Sequence, residues 1–188
     1  MLYRVYAVAV MTVCALAALL VGARAGAGRG LQSPAAPEKR CEGYAYVIDP
    51  DPQGLNIRSG PGKQCPVVGR IPKGDAVGVS ITGSTGQWLK IGEAENQGEG
   101  DVVYKGGGWV FGPMLATEPR SQGYDGPRAV VKLFREPDPK SAVAGRLPPG
   151  AQVEIVGCKG GWLRVRAGKL IGWLDPESQC ANTLTTCA

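Results

Sequence analysis

The chain of 188 residues contains 29 Gly, 15 Pro, six Cys and no His, and its formal net charge is +5. A hydrophobic fraction of 44% is ordinary for a globular protein and argues against wholesale disorder. Without histidine, the chain cannot build Ser-His-Asp or Cys-His catalytic groups or His-ligated metal sites. We therefore expect a non-enzymatic protein with no metal and no cofactor.

Residues 1–27 predict an export signal. Arg4 precedes an uncharged run from Val5 to Gly22, and small residues at Ala23, Ala25 and Ala27 suit a signal peptidase. The apolar run also reaches the lower length limit of a membrane-spanning helix, so an uncleaved anchor is the alternative. Both interpretations predict a periplasmic or secreted protein that contacts a membrane only through this segment, if it stays uncleaved.

After a flexible leader, residues 28–43, one pattern occurs twice. The matching segments are Leu55–Pro61 and Val131–Pro137, Val67–Gly74 and Val143–Gly150, Trp88–Ile91 and Trp162–Val165, and Gly108–Val110 and Gly172–Leu174. Pro61 and Pro137 are 76 residues apart, and the first two pairs of segments align without a gap. Such a repeat indicates repeated structural units. It predicts two domains, residues 44–116 and 128–180, joined by a linker at 117–127 and followed by a tail at 181–188.

Within each copy, apolar and polar residues alternate, which predicts short strands with one buried face. The predicted inward residues are Leu55, Ile57, Val77, Val79, Leu89 and Ile91 in the first copy, and Val131, Leu133, Val153, Ile155, Leu163 and Val165 in the second. Turns rich in Gly and Pro separate these strands, as in a small antiparallel barrel. The first copy has 16 residues between Ile91 and Gly108 where the second has six, which predicts an extended, mobile hairpin tip.

Five cysteines follow the export signal, and an oxidising compartment favours disulfides. Their clustering suggests that Cys41 pairs with Cys65 in the first domain. In the second domain Cys158 would pair with Cys180 or Cys187, which leaves one thiol over. A redox pair or metal site is the alternative, but the chain has no CxxC spacing.

Charge is distributed unevenly between the two copies. Residues 45–116 hold six basic and seven acidic side chains, a net charge of −1, whereas residues 128–180 hold nine and five, a net charge of +4. The second copy should therefore favour anionic partners, although this charge is also ordinary for a soluble domain. Nucleic acid is not an expected partner, because the basic residues are not clustered.

Two tryptophans are the first candidates for ligand binding. Trp88 and Trp162 alternate with inward aliphatic residues, and each is followed two positions later by a cation, Lys90 or Arg164. An outward Trp beside a cation can stack on a sugar or a peptide backbone. The alternative is that each Trp packs against the neighbouring strand. Packing is favoured for the other two tryptophans, Trp109 and Trp173.

Asn56 and Arg58 form a second candidate pair, because they share one face of a predicted strand. The planar guanidinium of Arg58 could hold a carboxylate, such as the terminus of a stem peptide. The favoured alternative is that Arg58 fixes the following turn through local carbonyl groups. Lys132 and Phe134 occupy the matching positions of the second copy, so any ligand preference carried here differs between the copies.

Four segments of the first copy together resemble the bacterial SH3-like domain: Leu-Asn-Ile-Arg-Ser-Gly-Pro-Gly, Val-x-Gly-x-Ile-Pro-x-Gly, Gly-x-Trp-Leu-Lys-Ile and Gly-Trp-Val. The second copy keeps the later segments but replaces the Asn-Ile-Arg-Ser-Gly-Pro element. The resemblance implies an all-β protein with two tandem SH3-like barrels. It also implies a role in binding peptidoglycan or other envelope components, often as an accessory to wall hydrolases.

We therefore expect an exported binding protein whose partner is a cell-wall polymer. The alternative is a protein–protein adaptor that recognises an extended segment of an envelope protein. An enzyme that uses a carboxylate pair ranks far behind, because the candidates Asp49 and Asp51 lie in a turn sequence.

Overall fold

The computed structural model describes residues 37–74, 76–120, 130–148, 150–182 and 184, which form an all-β structure. The predicted export signal, residues 121–127 of the predicted linker, and Cys187 lie outside these residues. The first copy contains β1 (Lys39–Val47), β2 (Leu55–Arg58), β3 (Val67–Ile71), β4 (Val77–Thr85), β5 (Trp88–Asn96), β6 (Val102–Tyr104), β7 (Gly108–Phe111) and β8 (Leu115–Pro119). The second contains β9 (Val131–Phe134), β10 (Val143–Leu147), β11 (Val153–Lys159), β12 (Trp162–Ala167), β13 (Leu170–Leu174) and β14 (Gln179–Cys180). The described part of the chain holds no helix with the length and apolar character needed to span a bilayer.

The two copies repeat one order of strands. In the first, β2 pairs with β3, β4 pairs with β5, and β7 lies between β5 and β2. In the second, β9 pairs with β10, β11 pairs with β12, and β13 lies between β12 and β9. Each copy then makes a short 3-10 turn before its last strand, at Gly112–Met114 and Pro176–Ser178. All of these pairings are antiparallel, so the predicted pair of small antiparallel barrels is confirmed.

The hydrophobic core follows the predicted alternation. All of the predicted inward residues are buried, and none of them is more than 4% exposed. Burying one such aliphatic side chain contributes about 1.5–3 kcal/mol, so this alternation is a main source of stability. The buried residues of both copies form one continuous cluster.

Strand β8 belongs to both barrels. It pairs with β1 of the first barrel and with β11 and β14 of the second. Ala116 has a partner on each side, Tyr46 of β1 and Glu154 of β11. The sheet therefore runs without a break from β3 at one end to β10 at the other. Residues 117–119, which we expected in the linker, are instead part of this shared strand.

Strand β1 begins inside the segment that we expected to be a flexible leader. It pairs with β4 and has a bulge between Arg40 and Gly43. At the bulge it contacts the turn between β11 and β12: the Glu42 N–H donates to the Gly160 oxygen at 2.9 Å, and the Gly160 N–H donates to the Arg40 oxygen at 3.1 Å. Gly160 has φ of +56°, a conformation that glycine adopts without strain. The expected leader is therefore ordered from Lys39 onward and links the barrels.

A disulfide joins the two barrels. It connects Cys41 on β1 with Cys158 on β11, with a Cα–Cα distance of 5.7 Å and a sequence separation of 117. The expected pairs Cys41–Cys65 and Cys158 with Cys180 or Cys187 are therefore wrong. The expectation treated each domain as separate, whereas β1 passes beside the second barrel and brings Cys41 to a cysteine of the other copy.

Beside the disulfide, a buried hydroxyl group makes a second link between the barrels. Ser84, at the end of β4, is only 3% exposed. Its hydroxyl donates to the Cys158 oxygen at 3.0 Å and accepts from the Cys158 N–H at 3.2 Å. These bonds satisfy polar groups that would otherwise be costly to bury.

The extra residues of the first copy form the predicted hairpin. They lengthen β5 to Asn96, and β6 returns alongside it. At its tip, the Gln97 side-chain amide donates to the Ala181 oxygen at 2.7 Å. The hairpin of the first barrel thus contacts the segment that follows the second.

Removing the inter-barrel disulfide should lower the free energy of unfolding by about 4 kcal/mol, because the bond closes a long loop in the unfolded chain. The measurement is urea denaturation of a Cys41→Ala, Cys158→Ala double variant against the oxidised parent. Non-reducing peptide mapping should recover Cys41 linked to Cys158. Recovery of Cys41 linked to Cys65 would contradict the pairing.

Tyr46 on β1 should make stability sensitive to alkaline pH. Burial, with a smaller effect of the Glu118 carboxylate, raises the pKa of Tyr46 from 10.0 to about 12. The unfolded chain therefore loses this proton first, so the contribution to stability is complete below pH 10.0 and is lost as the pH approaches 12. An absorbance titration of tyrosinate should show a late component that Tyr46→Phe removes and Tyr44→Phe retains.

Candidate binding face

The candidate residues of the first copy lie together on one face of β2, β7 and β5. Val110 and Leu89 point into the barrel and are fully buried. Because side chains alternate along a strand, their neighbours point outward. We call this surface the first face; its residues are Asn56, Arg58, Trp88, Lys90, Trp109 and Phe111.

Trp109 is the centre of the first face. It lies between Arg58 of β2 and Lys90 of β5, which are its partners on the two neighbouring strands. The Lys90 ammonium is 5.8 Å from the centroid of the Trp109 ring and 3.1 Å from a carboxylate oxygen of Glu38. Although it is on the outward side, Trp109 is only 7% exposed. The packing role expected for Trp109 agrees with this burial, and the ring also makes a cation–π contact with Lys90.

Trp88 combines the two roles that the sequence left open. It is half-buried and lies opposite Phe111 of β7, with ring centroids 5.6 Å apart and an interplanar angle of 55°. Tilted aromatic pairs of this kind are attractive. The pair leaves part of Trp88 open to a ligand. Phe111 was not singled out from the sequence, although it follows Trp109 by two residues and therefore shares its face.

Arg58 and Asn56 are engaged in local hydrogen bonds. The Arg58 guanidinium donates to the carbonyl oxygens of Lys63 at 3.0 Å and Cys65 at 2.7 Å, inside the loop after β2. This is the local role that we favoured for Arg58. The Asn56 side-chain oxygen accepts from Arg70 at 2.9 Å. Asn56 and Arg58 are therefore held by hydrogen bonds and Lys90 by its ion pair with Glu38, which leaves Trp88 as the first-face candidate with most freedom to meet a ligand.

The second barrel builds the equivalent surface, the second face, from β9, β13 and β12. Its residues are Lys132, Phe134, Trp162, Arg164, Trp173 and Asp175. Trp173 is 8% exposed and lies between Phe134 and Arg164, as Trp109 lies between Arg58 and Lys90. Trp162 meets Phe134 edge to face, with ring centroids 5.6 Å apart and an interplanar angle of 87°. The candidates Trp162 and Arg164 thus share one face, as Trp88 and Lys90 do.

One end of the second face opens into a cleft of about 400 Å³. Its lining combines aromatic, proline and acidic side chains: Phe134, Pro139, Trp162, Asp175, Pro176 and Glu177. Asp175 stands where the first face has Phe111, so the aromatic partner of the tryptophan comes from β9 instead of β13. The Asp175 carboxylate accepts from the Glu177 and Ser178 N–H groups at 3.1 and 3.0 Å and so caps the 3-10 turn. Sequence reasoning missed this cleft, because its residues come from three separate segments.

The described residues contain no cluster of three or more His, Cys, Asp or Glu side chains that could hold a metal ion. What the two faces offer chemically is an aromatic surface with a cation beside it. An aromatic ring can stack on an apolar sugar face or a peptide plane, and a neighbouring cation can pair with an anionic group.

Comparison with known families gives two matches of one kind. Sequence profiles of the bacterial SH3 domain match residues 53–116 and residues 128–177, together more than half of the chain. The chain is also 23% identical over 131 residues to the "Putative N-acetylmuramoyl-L-alanine amidase YrvJ" of Bacillus subtilis (strain 168). This similarity covers 65% of the chain but only 23% of the Bacillus protein, so the chain spans about a quarter of that relative.

Two solved structures, NlpC2 and NlpC1 from Trichomonas vaginalis, are 12% and 13% identical to the chain, each with a TM-score of 0.29. The matches cover 74% and 81% of this chain, and 48% and 51% of those chains. TM-scores this low do not establish a shared arrangement of the whole chain.

Trp109 and Trp88 of the first face should differ in their contribution to stability. Trp109→Ala should lower the free energy of unfolding by about 3–5 kcal/mol, because it empties a nearly buried site. Trp88→Ala should cost about 1–2 kcal/mol, mainly through loss of the contact with Phe111. Urea denaturation of the two variants measures the difference. Equal losses of stability would contradict a mainly structural, packing role for Trp109.

Proposed function

Because the chain belongs to the bacterial SH3 domain family, with two domains in tandem, we propose that it is an exported protein that binds peptidoglycan or another cell-envelope polymer. In this proposal the first 27 residues direct export, and the two faces hold the ligand outside the cytosol. The protein holds its ligand and does not transform it.

The observation that carries the proposal is that each face has a half-buried tryptophan and, two residues later on the same strand, a cation. Trp88 is accompanied by Lys90, and Trp162 by Arg164. Envelope polymers of the peptidoglycan type combine sugar rings, peptide planes and carboxylates, and these are the groups that an aromatic ring and a cation recognise. The same pair occurs in both copies although the residues around it differ.

The similarity to a Bacillus protein named for an N-acetylmuramoyl-L-alanine amidase supports a connection with the cell wall. The absence of histidine from the sequence supports a binding role over catalysis, because the usual nucleophile–histidine arrangements need that residue. We therefore propose that this chain supplies attachment and that any cleavage of the polymer belongs to another protein.

Sedimentation with purified, insoluble peptidoglycan tests the proposal. The parent protein should be retained, and Trp88→Ala and Trp162→Ala should each weaken retention roughly fivefold, because each removes a stacking surface worth about 1 kcal/mol. The matched control is Tyr44→Ala, which removes an exposed aromatic ring on β1, outside both faces.

The controls separate the outcomes of this experiment. Equal loss of retention in the Tyr44 variant would mean that general surface stickiness accounts for the binding. Retention of the parent no greater than that of an unrelated protein of similar charge would remove the proposal.

A second candidate function is a protein–protein adaptor for an extended peptide segment. The cleft beside Trp162 favours it, because aromatic and proline side chains line a groove that an extended chain could enter. Recovery of a stoichiometric polypeptide with the protein, lost in Trp162→Ala, would support this function over polymer binding.

A further inference from the structure

We propose that two cations on the surface of the second barrel, Lys132 and Arg146, form a binding site for an oxyanion, a carboxylate or phosphate group carried by a polymer. Lys132 is on β9 and Arg146 is on β10, and they are direct partners in the antiparallel register. The inference rests on the proposed function and deepens it, because it names the chemistry of the ligand held by the second barrel.

The register brings the two charged groups to one surface. Residues directly opposite in an antiparallel pair project to the same face, with Cβ atoms roughly 4.5–5.5 Å apart. Leu133 and Leu147, the next residues along the two strands, are buried, so Lys132 and Arg146 point outward. Both side chains are exposed, and the hydrogen bonds and ion pairs found among the described residues involve neither.

Two cations placed opposite each other repel, so this arrangement costs stability. The first barrel shows that the fold does not require it. There the equivalent partners are Asn56 and Arg70, and the arginine donates to the Asn56 oxygen at 2.9 Å. The same pair of strands thus carries a satisfied polar pair in one copy and a repelling pair in the other.

An oxyanion between the two side chains would replace this repulsion with two attractive contacts. The planar guanidinium can bind a carboxylate or phosphate through two parallel hydrogen bonds, and the lysine adds a compact charge. β13 pairs with β9 at Trp173 and Phe134, and the carboxylate of Asp175, just after β13, is held by the 3-10 turn, including a 2.8 Å bond from the Ser178 hydroxyl. The net charge of +4 over residues 128–180 would draw an anionic polymer toward this surface.

The decisive variant is Lys132→Asn, which gives the second barrel the arrangement of the first. Binding of the full-length protein to poly-L-glutamate and to polyphosphate is measured by titration calorimetry at several salt concentrations. We expect Lys132→Asn to weaken binding about fivefold, the effect of losing one close charge at the surface. Its urea midpoint should equal or exceed that of the parent, because the repulsion is removed. Arg146→Gln should weaken binding similarly.

The matched control is Lys169→Asn, which makes the same substitution in the exposed turn between β12 and β13. It changes the net charge equally but leaves the pair intact, so it should keep most of the affinity. Equal losses in the Lys132 and Lys169 variants would show a response to net charge alone and overturn the site. A lower urea midpoint for Lys132→Asn would show a structural role and also overturn it.

The two probes identify the source of the anion. Tighter, Lys132-dependent binding of poly-L-glutamate indicates a carboxylate ligand, and tighter binding of polyphosphate indicates a phosphate ligand. Retention on peptidoglycan with no effect of Lys132→Asn on either probe would remove this inference and leave the proposed function. Lys132-dependent binding of a probe without retention on peptidoglycan would leave the anion site and remove the proposed ligand.

Discussion

The backbone pairing of β8 with both barrels is the constraint on which the rest of the structure depends. Ala116 lies between β1 and β11, so β8 belongs to the sheet of both barrels. Each backbone hydrogen bond contributes about 0.5–1.5 kcal/mol, and the strand also fixes where the neighbouring segments lie. The Cys41–Cys158 disulfide and the Ser84–Cys158 hydrogen bonds join the same two barrels, from β1 and β4 of the first to β11 of the second. Two domains that look separable in sequence are therefore fused.

The parts of the fold that could be predicted from sequence are those that side-chain pattern determines. Alternation identified the inward residues, and the repeat identified two barrels. The shared strand and the start of β1 could not be predicted, because they depend on backbone pairing between the copies. The segment Lys39–Gly43 shows no apolar alternation, and it is held by backbone pairing with β4 and by the bonds to Gly160. The predicted cysteine pairs were wrong for the same reason. The observed Cys41–Cys158 bond needs a contact between the copies that only the fused arrangement creates. Export remains a prediction of the sequence.

The candidate site was predictable where one strand carries it and unpredictable where several do. Trp88 and Lys90, or Trp162 and Arg164, are two residues apart, so their shared face follows from the period of a strand. Phe111 and the cleft at Asp175 depend on how strands meet, which the sequence does not state. A nearly buried tryptophan is kept at the centre of each face, while Arg58 becomes Phe134 and Phe111 becomes Asp175. The two copies thus share the nearly buried central tryptophan and differ in the side chains around it.

Fusion of the barrels has a consequence for the strength of attachment. Two modules on a loose tether search a large volume after the first one binds, and this dilutes the second encounter. Here the spacing between the two faces is set by β8 and the disulfide. If the proposed function holds, a polymer long enough to reach both faces would meet the second face as a preorganised, intramolecular partner, and two weak contacts would act with the avidity of one rigid bivalent receptor.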